Sequence, residues 1–241
     1  MNNIKALTFD IGGTVFDWKT AVIDAVQSLA QARQADVDAE AFAMDWRSKK
    51  FELLARMHAG EISGLNADGL LQLGLKELSD SYPQLNLSEA DRHELTQAWH
   101  RMKAWPDFPN ALVQMRKSYY VAVLTILSFS IAVDCSRLNN THWDAILSCE
   151  FLGHYKPKAE AYQRGCQLLG FAPEQVMMVA SHPLDLLAAS KAGMKTGFVK
   201  EKMNEPDLPG FSGEIDVNQF DIVAQDFADL ANQLDSLKES A

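Results

Sequence analysis

The feature that most constrains this chain is a short apolar run over residues 4–9 that ends at Asp10 and is followed at once by Gly12, Gly13 and Thr14. An apolar run entering a glycine-rich segment is the pattern of a buried strand running into a tight turn. It puts a carboxylate at the carboxyl end of a strand. After residue 106 the pattern repeats: apolar runs at 119–126, 145–148, 175–180 and 196–199 alternate with helix-like stretches at 109–117, 129–138, 158–169 and 184–192. Alternating β and α units predict an α/β fold, a doubly wound parallel sheet covered by helices on both faces. Such sheets gather their ligands at the carboxyl ends of the strands.

From about residue 20 to 102 the character changes, and the sequence reads as helices at 21–33, 39–58, 67–82 and 89–102 with no strand between them. Ser88 with Asp91 three residues on has the form of a helix N-terminus. Phe42, Trp46, Leu53 and Leu54 fall near helical spacing and give the second stretch an apolar stripe to bury. The expected organisation is one core domain, residues 1–17 and 103–241, interrupted by a helical cap at 18–102. A surface loop is expected over 204–218, where Pro, Gly and Asp are frequent, and a terminal amphipathic helix over 224–237.

Composition narrows the function classes. A formal charge of -10 gives no overall attraction to nucleic acid or to anionic membranes, so neither is expected as a partner. No window is long and apolar enough for a membrane span, and the first residues lack the apolar stretch of a signal peptide, so the cytoplasm is the expected location. The three cysteines, Cys135, Cys149 and Cys166, have no metal-ligand or disulfide spacing and read as reduced, buried thiols. His58, His93, His100, His142 and His154 show no ligand pairing and read as surface or interface residues. Exposed apolar residues in the helical region leave a homodimer open.

The chemistry-bearing residues fall just after the expected strands: Asp10 with Gly12, Gly13 and Thr14; Thr125 and Ser128; Lys156 in Tyr155-Lys156-Pro157; and Ser181 and His182 with Asp185. In a parallel sheet these clusters converge on one rim. A carboxylate, hydroxyls, a lysine and a second carboxylate together are what a covalent hydrolase needs. Taken singly, each has a plainer reading. Asp10 before two glycines suits a turn, Lys156 beside a proline suits a solvated loop, and Asp185 suits a helix cap.

In order and spacing the clusters resemble the haloacid dehalogenase superfamily over nearly the whole chain. FDIGGTVFDW is similar to its first motif, VAVLTILS stands in the place of the second, YKPKAEAY is similar to the third and MMVASHPLDLLAASKAGMKTGFV to the fourth. The resemblance implies a Rossmann-like core with a helical cap inserted after the first motif. It makes Asp10 the covalent nucleophile and gives catalytic roles to Lys156, Asp185 and His182. Gly12, Gly13, Thr14, Thr125, Ser128 and Ser181 then line the substrate site.

Gly12 separates the branches of that superfamily. Its phosphatases carry a second aspartate two residues after the nucleophile, which protonates the leaving alkoxide, and they hold Mg²⁺ between carboxylates. Glycine cannot do that work, and only Asp10 and Asp185 remain as acidic ligands if Mg²⁺ binds. The dehalogenase branch needs neither the second acid nor a metal, because a halide leaves unprotonated. It also carries a basic residue in the cap, which Arg47 after Trp46 resembles. The expectation is hydrolysis of a carbon–halogen bond in a small 2-haloacid-like, carboxylate-bearing substrate without a cofactor. The alternatives are a Mg²⁺-dependent phosphatase or phosphonatase and a catalytically silent binding protein. Two departures stand out: Thr125-Ile126-Leu127 replaces the usual Ser-Asn-Gly, and Gly12 replaces a bulky aromatic residue, implying a wider or differently shaped pocket.

Overall fold

The structure, a computed structural model, describes residues 3–200, 213 and 215–239. The loop expected over 204–218 lies mostly outside the described residues. In chain order the elements are β1 (Ala6–Phe9), β2 (Phe16–Asp17), α1 (Trp18–Arg33), α2 (Ala39–His58), α3 (Ala67–Leu78), α4 (Glu89–Gln97), β3 (Lys103–Ala104), α5 (Phe108–Met115), β4 (Tyr120–Thr125) and α6 (Phe129–Leu138). They continue with β5 (Ala145–Ser148), α7 (Ala159–Leu169), β6 (Val176–Ala180), α8 (Pro183–Lys191), β7 (Lys195–Val199), β8 (Ile222–Ala224) and α9 (Phe227–Glu239). The chain divides into two compact units, Met1–Phe16 with Ala104–Ala241, and Asp17–Lys103.

The first unit is built on a sheet in the order β5-β4-β1-β6-β7-β8, every described pairing parallel. The chain moves outward from β1 to β4 and β5, then returns to the other side of β1 as β6. The strand order therefore reverses at β1, where open α/β sheets bind ligands. Phe9 is in register with Val123 of β4 and Val179 of β6, so the last residue of β1 is held from both sides. All four residues of β1 are buried, as a central parallel strand requires.

One sheet face carries an aromatic cluster in which Phe9 meets Phe108 and Trp143 at ring-centroid distances of 5.7 and 5.6 Å, and Phe108 meets Phe227 at 4.8 Å. The other face packs Leu124, Met178, Ala180, Tyr162 and Leu186 together. Each fully buried large side chain contributes about 1.5–3 kcal/mol relative to exposure, so both faces anchor the strand ends that carry the site. The expected terminal helix is shifted: Ala224 belongs to β8, and α9 begins at Phe227. A strand of three residues carries too little periodicity to stand out beside the helix that follows it.

The second unit is helical, and its helix starts follow capping chemistry. Asp17, Asp38 and Asn66 accept backbone N–H groups at the starts of α1, α2 and α3, and Ser88 with Asp91 forms a capping box on α4. The expected third and fourth helices end earlier than the sequence suggested, giving way to 3₁₀ turns at Ser79–Ser81 and Ala98–Arg101. The predicted stripe is buried, with Phe42, Trp46 and Leu53 fully enclosed. Trp18 stacks on Trp99 at 5.3 Å, and Trp46 donates its Nε1–H to the Leu71 carbonyl at 2.9 Å. His100 is not a surface residue: its Nε2 lies 2.7 Å from Asp68 Oδ1 and its side chain is mostly covered. No helix among the described residues is long and apolar enough to cross a membrane.

Candidate active site

The site in the first unit is assembled from strand ends. The Asp10 N–H donates to Val179 O at 3.0 Å, extending the β1–β6 ladder by one residue and fixing where the carboxylate leaves the sheet. The chain then turns sharply. Gly13 N–H donates to Phe16 O and Phe16 N–H to Ile11 O, at 2.9 and 2.8 Å, and Gly13 has φ of +90°, a conformation that L side chains rarely adopt. This turn brings Thr14 back over Asp10, where its hydroxyl donates to Asp10 Oδ2 at 3.0 Å. The same oxygen of Thr14 accepts the Ser181 N–H at 3.0 Å, tying the first motif to the end of β6.

Lys156 reaches in from the segment before α7. Its Nζ lies 3.1 Å from Asp10 Oδ1 and 2.7 Å from Asp185 Oδ2, so one ammonium bridges two carboxylates. His182 Nδ1 lies 3.3 Å from Asp10 Oδ2. Asp185 sits in the first turn of α8, whose N-cap position is His182, but its side chain turns to Lys156 and Tyr162 instead of closing the helix end. The plainer reading of Asp185 as a helix cap is thereby set aside.

The electrostatics follow from this geometry. Burial alone would raise the Asp10 carboxyl, but Lys156 and His182 beside it outweigh that and hold it well below the usual carboxylate range. Burial alone would lower Lys156, and the carboxylates of Asp10 and Asp185 hold it above the ordinary lysine value. The solvated-loop reading of Lys156 fails, since the side chain is 6% exposed. Cys149, just beyond β5, is pushed up to about 11, chiefly by burial, so at neutral pH it stays a thiol and offers no competing nucleophile.

Tyr162 is the residue that sequence reasoning missed. Its hydroxyl donates to Asp185 Oδ1 in a short hydrogen bond, and burial followed by the Asp185 charge holds the phenol far above its usual value, so it stays protonated. In the sequence it sits on the buried stripe of α7 beside Ala161 and Cys166, where an aromatic residue reads as core. The one available signal was its spacing of six residues after Lys156.

The remaining sequence candidates are placed differently. Thr125 ends β4, beside β1, but its hydroxyl accepts the Leu127 N–H at 3.0 Å and closes the turn there. Ser128 is buried at the start of α6, and Ser181 enters the network through its backbone. Ile126 is partly buried against the core group that includes Leu124 and Leu152. Gly12 does not open a wider pocket at its own position: a Cβ there would lie 3.1 Å from Leu127 Cδ1, so leucine takes the space that glycine leaves.

Arg47 belongs to the helical unit. It is 3% exposed, against the ordinary expectation for a helix arginine, and its guanidinium lies over the rings of Phe51 and Trp18 at 4.9 and 5.7 Å.

Asp10 and Asp185 are the two acidic side chains that would hold Mg²⁺ if it bound, with waters and substrate oxygens completing its shell. Among the described residues no three His, Cys, Asp or Glu side chains gather to hold a metal. Moreover, the Lys156 ammonium already spans Asp10 and Asp185.

A family model described as haloacid dehalogenase-like hydrolase matches residues 4–193. An (S)-2-haloacid dehalogenase of Burkholderia cepacia is 27% identical over 246 aligned residues, covering 99% of this chain and 94% of that protein. Among solved structures, an L-2-haloacid dehalogenase superposes with a TM-score of 0.88 at 30% identity, covering 97% of this chain and 99% of the other. A defluorinating L-2-haloacid dehalogenase gives 0.86 at 31% identity, covering 96% and 95%. With the parallel sheet and the four motifs on its rim, this chain belongs to the haloacid dehalogenase-like hydrolases.

Proposed function

We propose that this hydrolase cleaves the carbon–halogen bond of small (S)-2-haloacids through an ester on Asp10, without a metal. The observation that carries the reading is the single ammonium of Lys156 seated between Asp10 and Asp185, with glycine at residue 12. The first keeps a nucleophilic carboxylate ionised. The second leaves no acid to protonate a leaving group, which only an anion such as halide tolerates. Similarity to the (S)-2-haloacid dehalogenase of Burkholderia cepacia and to two L-2-haloacid dehalogenase structures supports the substrate class.

In the first step an Asp10 carboxylate oxygen attacks carbon 2 from the side opposite the halogen. The carbon–halogen bond breaks and halide departs with its electron pair. In the second step water attacks the ester carbonyl, the bond between that carbonyl and the alkyl oxygen breaks, and a 2-hydroxyacid of inverted configuration leaves. One proton from water ends on the product hydroxyl and the other is released to solvent. Thr14 and Lys156 orient Asp10 through their contacts with its two oxygens. Asp185 and His182 position the hydrolytic water and take its proton. Arg47, in the helical unit, is proposed as the group that recognises a carboxylate, for which a guanidinium has the matching fork of donors. The three free, buried thiols suit a reducing cytoplasm.

The test is a single turnover of (S)-2-chloropropionate in H₂¹⁸O with a chelator present, followed by mass spectrometry of the Asp10 peptide. Halide release with ¹⁸O in the Asp10 carboxylate is expected, and Asp10→Asn should give neither. Label appearing first in the hydroxyacid would mean direct attack by water and would end this reading. Phosphate release from phosphate esters only when Mg²⁺ is supplied would favour the phosphatase alternative.

A further inference from the structure

Gly12 and Leu127 come from different motifs, one after β1 and one after β4, yet they share one space. The missing Cβ at residue 12 would lie 3.1 Å from Leu127 Cδ1 and 3.7 Å from Cγ, the first of these closer than ordinary van der Waals contact. Leu127 is 1% exposed, so its isobutyl group is enclosed and not a loose surface chain. Nor can its backbone withdraw easily. The Leu127 N–H donates to Thr125 Oγ1 at 3.0 Å, and its carbonyl accepts the Ser148 hydroxyl at 2.7 Å, tying it to the ends of β4 and β5. The polar groups around Asp10 are Thr14, Lys156 and His182; Leu127 brings only hydrocarbon to the turn that follows the nucleophile.

We infer that Leu127 is a specificity-determining residue: with Gly12 beneath it, it forms the apolar wall that meets the hydrocarbon substituent on the reacting carbon, and it disfavours longer substituents there. The inference rests on the dehalogenase reading above and narrows it toward 2-haloacids with short substituents. With its backbone tied at both ends and its isobutyl group enclosed, Leu127 has little room to yield to each further methylene on the substrate. A mismatch of one methylene in an apolar pocket changes kcat/KM by roughly 10–200-fold.

The experiment compares the wild type with Leu127→Ala, Gly12→Ala and the double variant on 2-chloroacids of two to six carbons, measuring kcat/KM for each acid and Tm for each protein. Leu127→Ala is expected to move the ratio of long to short acids upward by about tenfold or more, by the same pocket arithmetic. Gly12→Ala should lower Tm and kcat/KM, and the double variant should regain part of both, because the added methyl enters the space that the trimmed leucine leaves. A Leu127→Ala protein that changes all acids by one common factor would overturn the inference, as would strictly additive effects on Tm. If the wild type releases halide from none of the acids, the dehalogenase reading is what fails. Coupled Tm values would then still support the Gly12–Leu127 wall, and additive ones would overturn it.

Discussion

Lys156 Nζ lies 3.1 Å from Asp10 Oδ1 across 146 residues of sequence, and both side chains are almost wholly removed from solvent. Depressed below the usual carboxylate value, Asp10 contributes stability that is fully present above that value and lost as pH falls through the folded one. Raised above the usual lysine value, Lys156 contributes stability that is present below that value and lost as pH rises through the folded one. Between those limits the pair's contribution is flat. Lys156→Met leaves burial to act on Asp10 with His182 and the Thr14 hydroxyl opposing it. The acid limb of kcat/KM is then expected to move to higher pH by about 1–3 units. Urea unfolding at pH 7 should show a loss of about 3–5 kcal/mol, the cost of stranding a buried charge.

Thr14 uses its hydroxyl twice, donating to Asp10 and accepting from the Ser181 amide. Thr14→Val keeps the shape and removes both contacts, leaving a buried N–H without its acceptor. A destabilisation of about 1–3 kcal/mol is expected. Thr14→Ser should restore most of the stability and the rate. If Thr14→Val and Thr14→Ser turn over alike, Thr14 does not orient the nucleophile.

Tyr162 holds the Asp185 oxygen that Lys156 does not. Tyr162→Phe frees that oxygen without emptying the core, so substrate binding and ester formation are expected to change little. Ester hydrolysis should slow by about 10²-fold, within the range for a mispositioned acid or base. Rapid-quench mass spectrometry would then find the Asp10 adduct accumulating. Equal slowing of both steps would assign Tyr162 to packing alone.

In the helical unit, Arg47 lies over Phe51 and Trp18. Arg47→Lys keeps the charge and loses the flat fork of donors. KM for 2-chloropropionate is expected to rise about tenfold with kcat much less affected, as for an interaction made equally in the ground and transition states. A fall in kcat at unchanged KM would instead give Arg47 a part in the bond-breaking step.

The alternating pattern after residue 106 was readable because each buried strand is a continuous apolar run between turn residues: β4 to β7 fall within those runs or one residue beyond, whereas the three-residue β8 was missed. Asp10, Lys156 and Asp185 were readable for a related reason, since strand ends in a parallel sheet must share an edge. Tyr162 was not, because a helix period cannot distinguish a tyrosine buried for its ring from one buried for its hydroxyl. For Thr125 the strand end was legible but not the turn contact, in which the hydroxyl accepts the Leu127 N–H. The filling of residue 12 by Leu127 was beyond reach, because side chains more than a hundred positions apart meet only once the register of β1 against β4 is known.

β1 is hydrogen-bonded along both edges, and its ladder runs on into the Asp10 amide. A nucleophile mounted this way has no recoil. Its backbone cannot advance to meet an electrophile, so the gap must be closed by the incoming molecule while the carboxylate only pivots about its own side-chain bonds. In isotope exchange the amides of β1 should accordingly be among the last to surrender their protons, and any retargeting of this scaffold has to come from its strand tips.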